Sequence, residues 1–229
     1  MITTFYPSST LIGWTGTFLF LYYVWIFGFQ SNETWLLWGA NLFQLIASIF
    51  VTFMLYRMIP RWKNHNRLFF LYILVGTFCF TIAQIIWCFY ELVLKQEAPF
   101  PSWADFAWIC QFLCYLIAIG TQVQRDLSKY YSLRLLFDSL LLTTVIGAWT
   151  WELMVKSQWF SAPWLEIAVG TAYPLMNLAM LLGMIALYVH SRNSFSQRVF
   201  RILFLGIFIS IVANVEYIYL VYNNSAFPM

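Results

Sequence analysis

The sequence predicts an all-α fold: a polytopic membrane bundle of seven transmembrane helices with its N-terminus in the cytoplasm. Three observations lead there. Of 229 residues, 62% are hydrophobic and only 9% are charged, whereas a soluble domain has about a quarter of its residues charged. The apolar residues gather into seven stretches, each of about 18 or more, long enough to cross a hydrocarbon core. The basic residues between those stretches fall almost entirely on alternate turns, as the positive-inside rule requires. One transmembrane domain, residues 1–229, is therefore expected, with lipid as its main solvent.

The first span, near residues 10–29, has no Lys or Arg before it. Gln30-Ser31-Asn32-Glu33 after it is a poor small-residue cleavage site, so it reads as a retained helix rather than a signal peptide. The second span, 34–57, ends in the basic turn "RMIPRWKNHNR". The third, 67–94, closes on "WCFYELVLK", and Pro99 and Pro101 then force an extended turn before the fourth, 103–123. The fifth, 132–155, ends among Trp149, Trp151 and Glu152. The sixth, 164–190, contains Pro174, and the seventh, 198–222, contains Glu216.

Charge sets the orientation. Arg57, Arg61, Lys63 and Arg67 fall at the turn after the second span; Arg125, Lys129 and Arg134 follow the fourth; Arg192, Arg198 and Arg201 follow the sixth. These are ten of the twelve basic residues, with only Lys95 and Lys156 on the other side. The three basic turns are thus expected in the cytoplasm. At the outer boundary lie Trp87, Tyr90, Trp103, Trp149, Trp151, Trp159 and Trp164. These rings form either an aromatic belt in the headgroup zone or the walls of an outward-facing pocket.

Carboxylates also favour the outer side. Glu33, Glu91, Glu97, Asp105, Glu152 and Glu166 sit in outer loops or at outer helix ends, while Glu216 lies within the seventh span. An ionisable group at such depth must face the bundle interior, be protonated or have a partner. Trp87, Tyr90 and Glu91 are spaced i, i+3, i+4, on one helical face. Ser102 reads as the N-cap of the fourth helix, with Asp105 three residues on in a capping-box arrangement at the positive end of the helix dipole. Glu91 has no comparable structural role in sight. Asn41, Gln44, Gln84, Gln111, Asn177 and Asn214 serve either as interhelical glue or as the lining of a polar cavity.

An internal repeat is also visible. "AQIIWCFY" (83–90) aligns on "ANVEYIYL" (213–220), and "APFPS" (98–102) on "SAFPM" (225–229). Both helices would run outward, giving a parallel rather than inverted repeat. If the seventh span repeats the third, a four-plus-four architecture is expected, with an eighth helix starting just after Pro228.

These motifs carry a resemblance. Trp87, Tyr90 and Glu91; Pro99, Phe100, Pro101, Ser102, Ala104 and Asp105; Ala172, Tyr173, Pro174, Leu175, Asn177 and Leu178; and Ala213, Asn214 and Tyr217 form its pattern. The pattern resembles the multi-helix N-terminal membrane domain of bacterial GGDEF/EAL signalling proteins, which make or degrade cyclic di-GMP. The likeness runs over the third to seventh spans. Asn stands at 177 and 214 where the family often has Asp, and no GGDEF or EAL sequence is present. The resemblance implies an input domain in the bacterial inner membrane, cut off before its last helix or shortened. It implies no cyclase activity in these residues.

Catalytic chemistry has little to stand on. His65 and His190 both map to cytoplasmic turns or helix ends, which argues against a buried haem or a zinc site. Cys110 and Cys114 are i, i+4 on the fourth helix, with Cys88 on the third as a candidate neighbour; small apolar packing and redox or soft-metal chemistry are the two readings. No cofactor and no catalytic residue are expected. The expected function is sensory: a small-molecule or membrane-borne ligand binding among Trp87, Tyr90, Glu91, Asp105, Trp108, Trp149, Glu152, Tyr173, Asn177, Asn214 and Glu216. The bilayer is the other expected partner, a homodimer is one assembly this allows, and nothing suggests nucleic acid. The alternative is a small transporter or channel with a polar path through the sixth and seventh spans.

Overall fold

The computed structural model describes residues 9–61, 67–96, 98–126 and 163–190, together with 137, 141, 144, 145, 148, 204–206 and 208–210. Five long helices are described: α1 (Ser9–Gly28), α2 (Glu33–Met58), α3 (Arg67–Cys88), α4 (Trp103–Asp126) and α5 (Trp164–His190). They correspond to the first four predicted spans and the sixth. The fifth and seventh predicted spans lie mostly outside the described residues, and the positions described within them are helical. Among the described residues, four helices are long and apolar enough to cross a membrane: Glu33–Met58, Arg67–Val93, Trp103–Gln124 and Trp164–Ile185. Such helices mark the chain as a membrane protein.

Local chemistry sets the ends. Asn32 caps α2 by accepting from the Trp35 amide at 3.3 Å, with Glu33 in the first turn and Arg57 in the last, each matched to the helix dipole. A short 3₁₀ turn, Ile59–Arg61, follows. The α3 helix leaves α geometry at Phe89: residues Phe89–Val93 form a π turn, closed by the Leu94 amide on the Phe89 carbonyl at 3.0 Å. Lys95 then takes a left-handed conformation (φ 52°), the position where glycine usually ends a helix.

Neighbouring helices pack in series. Aromatic rings join α1 to α2, with Phe43 against Phe18, Tyr22 and Trp25. Gly39 leaves room for the Trp25 ring, whose Nε1 donates to the Trp35 carbonyl at 2.8 Å. Between α2 and α3 runs a polar seam. Asn41, Gln44, Ser48 and Thr52 recur along one face of α2, and Thr77, Thr81, Gln84 and Cys88 along one face of α3. Gln84 Nε2 donates to Gln44 Oε1 at 3.3 Å, and Thr52 Oγ1 lies 2.9 Å from Thr81 Oγ1. Such bonds contribute about 0.6 kcal/mol each on average. The glue reading of Asn41, Gln44 and Gln84 thus has direct contacts behind it.

A different kind of contact holds α4. A Cβ on Gly76 would stand 2.6 Å from the Tyr115 ring and 3.1 Å from the Gln111 carbonyl, so only glycine admits this approach of α3 to α4. Against α5, α4 packs an apolar cluster of Phe112, Val169, Tyr173 and Met180, and farther along one of Ile119, Met184 and Leu187. Contacts that advance together along both chains make α4 and α5 parallel, as the directions predicted for the fourth and sixth spans require.

Candidate functional site

The nominated residues on described elements meet at one end of the bundle, where α3 closes and α4 begins. Asn41 of α2 is 4% exposed, and its Nδ2 donates both to the Leu37 carbonyl at 3.0 Å and to Glu91 Oε2 at 2.5 Å. Cys88, one turn before Glu91, directs its Sγ to Asn41 Oδ1 at 3.5 Å and to the Asn41 carbonyl at 3.7 Å. Glu91 itself is half-buried within the π turn. Its partner is thus an amide on another helix, fifty residues away in the chain.

On the other flank of α3, the Trp87 ring lies 5.4 Å from that of Trp108 on α4, tilted by 47°. Spacing predicts a single face for Trp87, Tyr90 and Glu91, yet α3 sends Trp87 towards α4 and Glu91 towards α2. Tyr90 is half-buried in the π turn and lies 6.4 Å from the Phe89 ring, edge-on.

Asp105 is 3% exposed and accepts three hydrogen bonds. Its Oδ2 receives the Ser102 amide at 2.6 Å and the Ser102 hydroxyl at 2.9 Å, and its Oδ1 receives the Tyr173 hydroxyl of α5 at 2.8 Å. The first bond is the back-reaching half of a capping box, as the sequence suggests. The third is a tertiary contact that the capping reading does not contain. Here a single carboxylate both starts α4 and ties it to α5. Phe100, in the proline turn, and Trp108 pack against the apolar cluster that contains Tyr173.

Together these contacts form a transverse chain through α2, α3, α4 and α5. Asn41 reaches Glu91, Trp87 reaches Trp108, and Asp105 reaches Tyr173. Asn177, one turn beyond Tyr173 on α5, is 3% exposed and belongs to the buried core. Trp149, Glu152, Asn214 and Glu216 lie outside the described residues.

Two features were not foreseen. The bond from Asn41 to Glu91 is one, although the spacing of Asn41 with Ser48 and Thr52 on an apolar helix was available as a signal. The π turn is the other, and no residue within Phe89–Val93 announces it. The cysteines also pair differently from the expected neighbours. Cys79, not Cys88, lies against Cys114 with Cys110 nearby, while Cys88 is engaged with Asn41. The reason is helical phase: Cys88 shares the α2-facing stripe of Thr81 and Gln84, which turns it away from α4.

No protein-family model, characterised protein or solved structure matches the chain. The fold and the contacts define a helical membrane protein with a polar and aromatic assembly at one end.

Proposed function

We propose that the chain is a membrane-embedded sensory or regulatory input domain. On this reading, an external or membrane-borne ligand acts at the Glu91 end of the bundle and shifts the helix packing. The shift would bias a cytoplasmic cyclic di-GMP output of the GGDEF/EAL kind. The observation that carries the reading is the Asn41–Glu91 bond within a π turn. Among the described residues, a half-buried carboxylate is held by the Asn41 amide at the start of a contact chain that touches four helices. Turns of this type recur at functional sites. Magnitude supports it as well. A hydrogen bond contributes about 0.5–1.5 kcal/mol net, and allosteric couplings are typically about 1–3 kcal/mol. Making or breaking this one contact therefore has the size a signal needs.

On this reading the basic turns face the cytoplasm by the positive-inside rule, which would leave the Glu91 end outside the cytoplasm of a bacterial inner membrane. The test compares cellular cyclic di-GMP in cells producing the wild-type gene product with cells producing its Glu91→Gln form. A several-fold change at equal protein level is expected; identical levels sink the reading. Substrate flux in liposomes that Glu216→Ala abolishes would favour the transporter alternative instead.

A further inference from the structure

We infer that the first part of α5, Trp164 to Tyr173, is a lever hinged at Pro174 and held shut by the hydrogen bond from Tyr173 to Asp105. Three observations converge on one turn of α5. Pro174 is an interior helix residue without an amide hydrogen, so the carbonyl of Gly170 loses its usual partner. Next to it, Thr171 Oγ1 donates back to the Ile167 carbonyl at 2.6 Å, a side-chain bond that commonly bends helices. The residue directly before the proline is Tyr173, whose hydroxyl ends on the buried Asp105 carboxylate at 2.8 Å. The weakest point of the helix backbone and its polar tether to α4 thus coincide.

Beyond the proline the attachment differs. Met180, Met184 and Leu187 are buried, and Gly183 sits so close to Ile119 that an added Cβ would stand 2.8 Å from its Cγ2. This lower half is seated by close packing, which resists sliding because interiors are as dense as crystals. The upper half also buries Ile167, Val169 and Tyr173, the last edge-on against Phe112 of α4, and it is tied to α4 by the Tyr173–Asp105 bond. Release of Tyr173 from Asp105 therefore removes the polar hold beside the hinge and leaves apolar packing before it, while the Gly183–Ile119 contact keeps the segment after it in place. Asp105 is suited to the tether, because its other oxygen is fixed by Ser102 at the rigid start of α4.

The test uses the full chain in lipid nanodiscs, with nitroxide labels attached through a chemistry that spares the native cysteines. One label pair replaces Trp103 and Trp164, which are 73% and 76% exposed; a control pair replaces Ile117 and Ile185, beyond the hinge. The lever is about 14 Å long at helical rise, so a swing of about 20°, the usual scale of a proline kink, moves its tip by about 5 Å. Tyr173→Phe is expected to lengthen and broaden the Trp103–Trp164 distance by that amount and leave the control pair unchanged. Adding Pro174→Ala should restore the wild-type distance, and Pro174→Ala alone should narrow it. The inference is overturned if Tyr173→Phe leaves the upper distance unchanged, if both pairs move together, or if Pro174→Ala does not reverse the shift. None of these outcomes depends on a ligand or on cyclic di-GMP, so the hinge and the sensory reading fail separately.

Discussion

Glu91 and Asp105 show two ways of keeping a carboxylate in an apolar setting. Asp105 is saturated by three donors, two of them from a residue three positions away. Glu91 relies on Asn41, a residue of another helix. Leaving a partly buried acceptor without its donor costs about 1–3 kcal/mol. Asn41→Leu should therefore lower unfolding stability in detergent by that amount, while Glu91→Gln with Asn41 retained should lower it less, because the amide can still be paired. A double-mutant cycle in which the two effects simply add would disprove the coupling. Lys95 offers a second test, since a left-handed backbone costs a non-glycine residue about 1–2 kcal/mol. Lys95→Gly is expected to raise the thermal midpoint and Lys95→Val to lower it.

Helices α1 to α4 are joined here by three different devices, and each fails differently. Aromatic rings lock α1 on α2, a polar seam joins α2 to α3, and a glycine contact admits α4 to α3. Gly76→Val should separate α3 from α4 and cost about 1–3 kcal/mol through overpacking. Gly13→Ala is the control: nothing lies within 4 Å of its added Cβ, and inside α1 the change should be neutral or raise stability by up to about 1 kcal/mol. Thermal unfolding of both variants in the same detergent separates a contact glycine from an incidental one. Ser102→Ala should cost about 1 kcal/mol as a lost hydrogen bond, removing one of the donors that fix Asp105 for Tyr173 while keeping the amide that the Asp105 carboxylate caps.

At the scale of the molecule, the issue is which end faces the cytoplasm. The sequence puts ten of the twelve basic residues on one expected set of turns, so the Pro99–Pro101 turn, and with it Glu91 and Asp105, should be outside. Single cysteines at Asn64 and Ala98, in a background lacking the native ones, test this with a membrane-impermeant thiol reagent. Ala98→Cys should be labelled in intact cells and Asn64→Cys only after permeabilisation; the reverse would move the candidate site to the cytoplasmic face.

The chain by itself determined what depends on local and periodic chemistry. Apolar length fixed the spans that are described, to within a few residues at each end, because lipid leaves the backbone no alternative to helix. The Ser102–Asp105 cap was legible because a capping box lies within four consecutive residues. Tertiary structure alone decided which helix each polar side chain meets. Spacing put Trp87 and Glu91 on one face, and packing sent one to α4 and the other to α2. Nor could spacing show that Tyr173 would reach Asp105 across 68 positions. The physical reason is that periodicity reports the phase of a helix relative to its own axis. The identity of the neighbour is set by how several helices pack together.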